Sequence, residues 1–111
     1  MSKRNVILSV VVVLLLLAAL STLAPGQQSA RELGRVLVER ECARCHSVSR
    51  TGQSRHTSAP PFRDLSKKYP IDSLAEALAE GIVVGRKDMP EFLFEPHDID
   101  AILAYISSLG E

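Results

Sequence analysis

Two apolar patterns run along this chain, one unbroken and one periodic. From Val6 to Leu20 (VILSVVVVLLLLAAL) only Ser9 interrupts the apolar residues. Further on, Leu33, Val36 and Leu37 recur at the spacing of one helix face. Ser29-Ala30-Arg31-Glu32 stands before them as a capping box, with Ser29 as N-cap and Glu32 at N3. The helix this predicts runs towards Glu41. "SVSRTGQSRHTSAPPF" then reads as a loop from its serine, threonine, glycine and proline content. A short helix is predicted over Phe62 to Lys68, stopped at Tyr69-Pro70.

Asp72 or Ser73 can cap a third helix, with Leu74, Leu78 and Ile82 on one face and Gly81 near its end. "GRKDMPEFLF" is another loop, because Met89 precedes Pro90 and is pushed out of helical geometry. Pro96 suits the first position of a final helix, with Asp98 and Asp100 in its first turns. Ile99, Ile102, Leu103, Ile106 and Leu109 form its apolar stripe, and Gly110 ends it. With no strand-like alternation of useful length and no internal repeat, the class is all-α. Leu33, Leu37, Leu74, Ile82, Phe92, Phe94, Ile102 and Ile106 are the candidates for an apolar pocket and core.

The unbroken run follows a basic start, Lys3 and Arg4, and gives way to small residues and Pro25-Gly26. That is the layout of a secretory signal peptide, or of an uncleaved anchor, which reads almost the same. Extended to Ala24 the run is 19 residues, close to the about 20 that span a bilayer. Ala19-Leu20-Ser21 offers a cleavage point, as does the stretch ending at Ala30, and cleavage is the favoured alternative. A buried core helix fits less well, since nothing polar punctuates the run. The expected organisation is a signal peptide or membrane anchor over residues 1–24, a short linker over 25–28 and one domain over 29–111. Lys3 and Arg4 stay cytoplasmic, and everything after Pro25 is exported.

Charge changes the picture little. Thirteen basic residues balance thirteen acidic ones; without Lys3 and Arg4, eleven face thirteen. Arg31 to Lys68 carries nine basic residues against four acidic, and Asp72 to Glu111 two against nine. This is a charge dipole, either ordinary solvated helix faces or a docking device. It is not a nucleic-acid footprint, which wants a strongly basic domain. Size matters more. The exported part has no tryptophan and only Phe62, Tyr69, Phe92, Phe94 and Tyr105 as aromatics. A domain this short usually needs a metal, a disulfide or a cofactor as a staple.

"ECARCHSV", residues 41 to 48, holds both cysteines and His46. Cys42 and Cys45 lie on one side of a helical turn, so their thiols can add to the two vinyl groups along one edge of a haem. His46, next in line, is then held over the iron as its proximal ligand. That pattern, C-x-x-C-H, reads as covalent attachment of one haem c. A structural zinc site wants four protein ligands, and only the distant His56 or His97 remains as a fourth. A thioredoxin-like dithiol would sit near a βαβ pattern, which is absent. A simple disulfide, the plain reading of two cysteines in an exported chain, leaves His46 unexplained and closes too small a loop to staple a domain.

Haem iron offers a sixth position. Met89, the one methionine besides the initiator, sits in a loop beside Pro90, whereas core filler would more naturally lie on a helix stripe. A thioether ligand raises the potential, and a filled sixth position suits electron transfer. His56, in the polar loop, and an open site are the alternatives to Met89. His97, in the first turn of the last helix, reads as a surface residue.

With these residues in place, Ser29 to Glu111 resembles a small class I cytochrome c of the proteobacterial periplasmic, mono-haem kind. Gly34 stands eight residues before Cys42, where the family's first helix carries a glycine. The resemblance implies that the terminal helices cross there, with Tyr105 packed at the crossing. "APPF", Ala59 to Phe62, is similar to the family's "GPxL" segment, with Ala59 in place of the glycine. It implies that the Pro60 carbonyl beside the haem accepts the Nδ1 hydrogen of the proximal imidazole. "DMPEFLF" resembles the family's methionine loop, and Val38 departs from a position often aromatic.

The resemblance implies three to five helices around one covalent haem, and attachment on the far side of the membrane agrees with export. It implies a one-electron carrier in a periplasmic respiratory chain, not an enzyme, with redox proteins as partners and no small-molecule substrate. Its iron (ligands His46 and Met89) would cycle between two oxidation states. The protein would be soluble or tethered to the outer face of the cytoplasmic membrane through its N-terminal segment. Arg35, Arg44, Arg50, Arg55 and Lys67 are the candidate docking rim for an acidic partner. Two other expectations stand beside this one: a haem c subunit of a dehydrogenase complex, and a ligand-binding or sensory haem protein with a labile sixth ligand.

Overall fold

The computed structural model describes residues 2–19, 25–81 and 88–111. Among them lie five α-helices: α1 (Lys3–Ala19), α2 (Pro25–Glu41), α3 (Leu65–Lys68), α4 (Ile71–Glu80) and α5 (Pro96–Leu109). A 3-10 turn over Phe62–Asp64 leads into α3, and no described residue is in a strand. The all-α class read from the sequence holds.

In α1, every apolar side chain from Val6 to Leu17 is exposed. It is apolar all round, so no stripe faces a core. Among the described residues no helix is long and apolar enough to cross a membrane. Residues 20–24, which hold the end of the apolar run and part of the expected cleavage point, lie outside the described residues.

The start of α2 differs from the sequence reading. Pro25 opens the helix, so residues 25–28, expected as a short linker, are helical. Ser29 is therefore interior to the helix, and its hydroxyl donates back to the Gly26 carbonyl at 2.9 Å. The capping box is not used. Proline at the first helical position has no N–H to leave open, and the Ser29 hydroxyl turns back to a carbonyl rather than capping an amide.

Packing is dominated by α2 against α5, and Gly34 permits it. A Cβ at Gly34 would run into the Ala101 carbonyl oxygen, with the Ala101 carbonyl carbon at 2.6 Å and the Tyr105 Cβ at 2.9 Å. The two backbones touch there. Tyr105 then reaches past the crossing and donates its hydroxyl hydrogen to the Val48 carbonyl at 2.7 Å. Burial first, and then the Glu39 carboxylate, push its pKa up, so it stays a donor. Tyr105→Phe is expected to cost about 1–2 kcal/mol, since the Val48 carbonyl loses its partner. A lower urea midpoint at unchanged slope would show it.

The other end of α5 is held by the loop. Arg50 donates to the Ser108 carbonyl at 2.6 Å and to the Glu111 carbonyl at 3.2 Å. A cation on last-turn carbonyls satisfies groups that the helix leaves open and complements its dipole.

The core comprises Leu37, Val38, Val48, Phe62, Ala101, Ile102, Ile106 and Leu109. Leu74 and Phe94 pack against it half-buried. Of the residues expected in the pocket and core, Leu33 lies outside the buried core: it is 40% exposed, and Val36 beside it 45%. The buried stripe of α2 is Gly34, Leu37 and Val38, turned from the expected face because the glycine sits at the crossing. Phe92 is half-buried and stacks on Phe94 at 5.7 Å. Ile82 lies outside the described residues.

Candidate cofactor-binding site

Where α2 stops at Glu41, the chain does not straighten. Cys42 and Ala43 both donate to the Val38 carbonyl, at 2.8 and 3.1 Å. Cys45 and His46 donate to the Cys42 carbonyl, at 3.2 and 3.0 Å. Two carbonyls one helical turn apart, those of Val38 and Cys42, thus gather four amides and place both cysteines and His46 on one tight turn. Both thiols are free and half-buried. Burial, and then the neighbouring Glu41 charge, push the Cys42 thiol up to about 12. A redox dithiol needs the opposite, a depressed thiol.

The Nδ1 of His46 lies 2.8 Å from the Pro60 carbonyl oxygen. A carbonyl only accepts, so Nδ1 carries the hydrogen and Nε2 keeps its lone pair free. The imidazole ring packs obliquely on the buried Phe62, centroids 5.1 Å apart. The loop that brings Pro60 back is closed on itself. Phe62 donates to the Ser47 carbonyl at 2.9 Å, and the Ser47 amide to the Ser54 hydroxyl at 3.0 Å. The His56 amide donates to the Cys45 carbonyl at 3.0 Å. Two free thiols and an oriented imidazole on one turn are the donor set a covalently attached haem requires, so the residues fit the group. Among the described residues, no three His, Cys, Asp or Glu side chains converge as a metal cage would need.

Cys42, Cys45, His46 and Pro60 are therefore brought together. Met89 is half-buried in the separate segment before α5. What ties that segment back is a contact the sequence reading missed. His56 Nε2 meets the Asp88 carboxylate at 3.1 Å, and its Nδ1 accepts the Ser58 amide at 3.2 Å. His97 is exposed and paired with Asp98 at 2.9 Å.

The expected basic rim is thinner than its sequence count. Arg35 bridges Glu32 and Glu39, which holds the guanidinium more firmly protonated and, through its hydrogen bond, lowers the pKa of Glu32. Arg50 is spent on α5, and Lys67 lies 3.7 Å from Asp64. Arg44 and Arg55 are exposed with no ion-pair partner among the described residues.

A family model described as cytochrome c matches residues 31–110. No curated protein and no solved structure matches the chain significantly. The matched stretch runs from the second turn of α2 through all of α5 and contains the cysteine turn, Pro60 and Met89. The chain belongs to the cytochrome c family, whose members bind iron as covalent haem c and are in general electron carriers rather than enzymes.

Proposed function

We propose that this protein is a class I, mono-haem cytochrome c of the proteobacterial periplasmic kind, carrying single electrons between redox proteins. Cys42 and Cys45 hold the porphyrin through thioethers, and His46 and Met89 are the iron ligands. The observation that carries this reading is the orientation of His46, whose Nδ1 is committed to Pro60 and whose Nε2 is left to bind a metal. When bound, the haem iron supplies a one-electron couple. The chain's residues fix its surroundings: Pro60 sets the tautomer and basicity of the imidazole, and Phe62 limits rotation of its ring. Leu74 and Phe94, half-buried on the core, keep the neighbourhood apolar. Ligands set in advance keep reorganisation small.

The apolar run behind Lys3 and Arg4 supports export, with the domain outside the cytoplasmic membrane, released or tethered. Of the expected rim, Arg44, between the two cysteines, and Arg55 have no ion-pair partner among the described residues and would meet an acidic partner, an attraction that salt would weaken.

Intact mass of the native protein, with the visible spectrum, tests attachment and the mature N-terminus together. An iron-free product would overturn the reading. Met89→Ala is expected to abolish the red-end sulfur-to-iron band of the oxidised protein. It should lower the potential by on the order of a hundred millivolts, a fraction of the ~0.8 V that axial ligands command. An unchanged band and potential would remove Met89 as ligand.

A further inference from the structure

We propose that His56 is a positioning residue, a strap that holds the methionine-bearing segment against the haem-attachment turn. The inference rests on Met89 as the sixth ligand. A backbone amide can only donate, so the Ser58 contact makes the His56 Nδ1 an acceptor and puts the ring hydrogen on Nε2. That hydrogen points to the Asp88 carboxylate, 3.1 Å away, and Asp88 is the residue before Met89.

The other end of the strap is anchored in the turn itself. The His56 amide donates to the Cys45 carbonyl and its own carbonyl accepts the Ala59 amide, both at 3.0 Å. The His56 backbone is therefore held by two hydrogen bonds, and its ring by one from the Ser58 amide, before it meets Asp88. An ordinary surface pair must order two free side chains and yields little. Here one partner is already ordered, so the contact retains more of its strength. With both ring nitrogens engaged, His56 serves the iron through Met89 rather than as a ligand.

The test follows loop opening in the intact holoprotein. Imidazole can bind the oxidised iron only when the sulfur has left, so its binding rate reports that opening. His56→Ala is expected to speed imidazole binding about three- to tenfold, the effect of losing one hydrogen bond of ordinary strength. Asp88→Ala should do the same, and the double variant should be no faster than either single one. His56→Gln, whose amide can reach the same carboxylate, should return the rate to near the parent value. A parental rate in His56→Ala, fully additive effects in the double variant, or no rescue by glutamine would each overturn the strap. Met89→Ala separates the two ideas. If the red-end band survives in it, ligation by Met89 is wrong; if it is lost while His56→Ala behaves as the parent, only the strap is wrong.

Discussion

Gly34→Ala is expected to lower the thermal midpoint of the holoprotein by roughly 10–20 °C, a net loss of about 2–3 kcal/mol for a domain of this size. Two effects oppose each other. Alanine is a better helix former than glycine by about 1 kcal/mol, so in an open helix interior the change would stabilise. At Gly34 the added methyl meets the carbonyl group of Ala101, which is backbone and cannot rotate away. α2 and α5 must then separate, which loosens Leu37 and Val38 against Ile102 and Ile106. The steric term wins because the largest interface of the domain depends on that approach. Gly26→Ala is the control, as nothing lies within 4 Å of the added atom. Equal midpoints for the two variants would mean that the crossing is not close in solution.

The second large effect is chemical. Cys42→Ala/Cys45→Ala is expected to leave haem that acid and acetone extract, in a domain that has lost most of its net stability. Only ten apolar residues are buried among the described ones, and a core that small seldom supplies more than about 3–5 kcal/mol. A tethered cofactor cannot leave, and it would add apolar surface to a core on which Leu74, Leu78 and Phe94 are only half-buried. Cys42 also touches the core itself. Denaturation followed by circular dichroism should turn from a cooperative step into a gradual slope. A variant that folds colourless and unfolds as sharply as the parent would show that the cofactor is no staple.

How much of this could be read in advance depended on the range of the interaction. α5 was legible almost to the residue, because Pro96, the apolar stripe and Gly110 are all local signals. Gly81 was legible as lying near the end of α4, although Ile82 was counted on the helix face; the helix stops at Glu80, with Gly81 at a φ of 80° that glycine tolerates. The face of α2 was misjudged because glycine carries no hydropathy. Leu33 and Val36 drew the stripe one way, while backbone contact at Gly34 drew it the other. Val48 and Phe62 sit in polar loop sequence, and only the folded loop buries them. The chemistry of Cys42, Cys45 and His46 was visible because it is packed into five residues. The ties from His56 to Asp88 and from Arg50 to Ser108 join residues 32 and 58 positions apart, and no periodicity encodes such pairs.

Because Ser47 and Phe62 are hydrogen-bonded to each other, residues 48 to 61 leave and re-enter the fold at nearly one point. Gly52, at a φ of 87°, turns an exposed stretch of this excursion, and on either side of it the Thr51 carbonyl and the Ser54 hydroxyl are hydrogen-bonded to Ser47 at its base. An outward side chain there can be exchanged without disturbing that base, whereas inserted backbone would pull on both bonds. The exposed Gln53 is thus where the molecule can take a chemical handle, for instance to wire it to an electrode, while the imidazole keeps its setting.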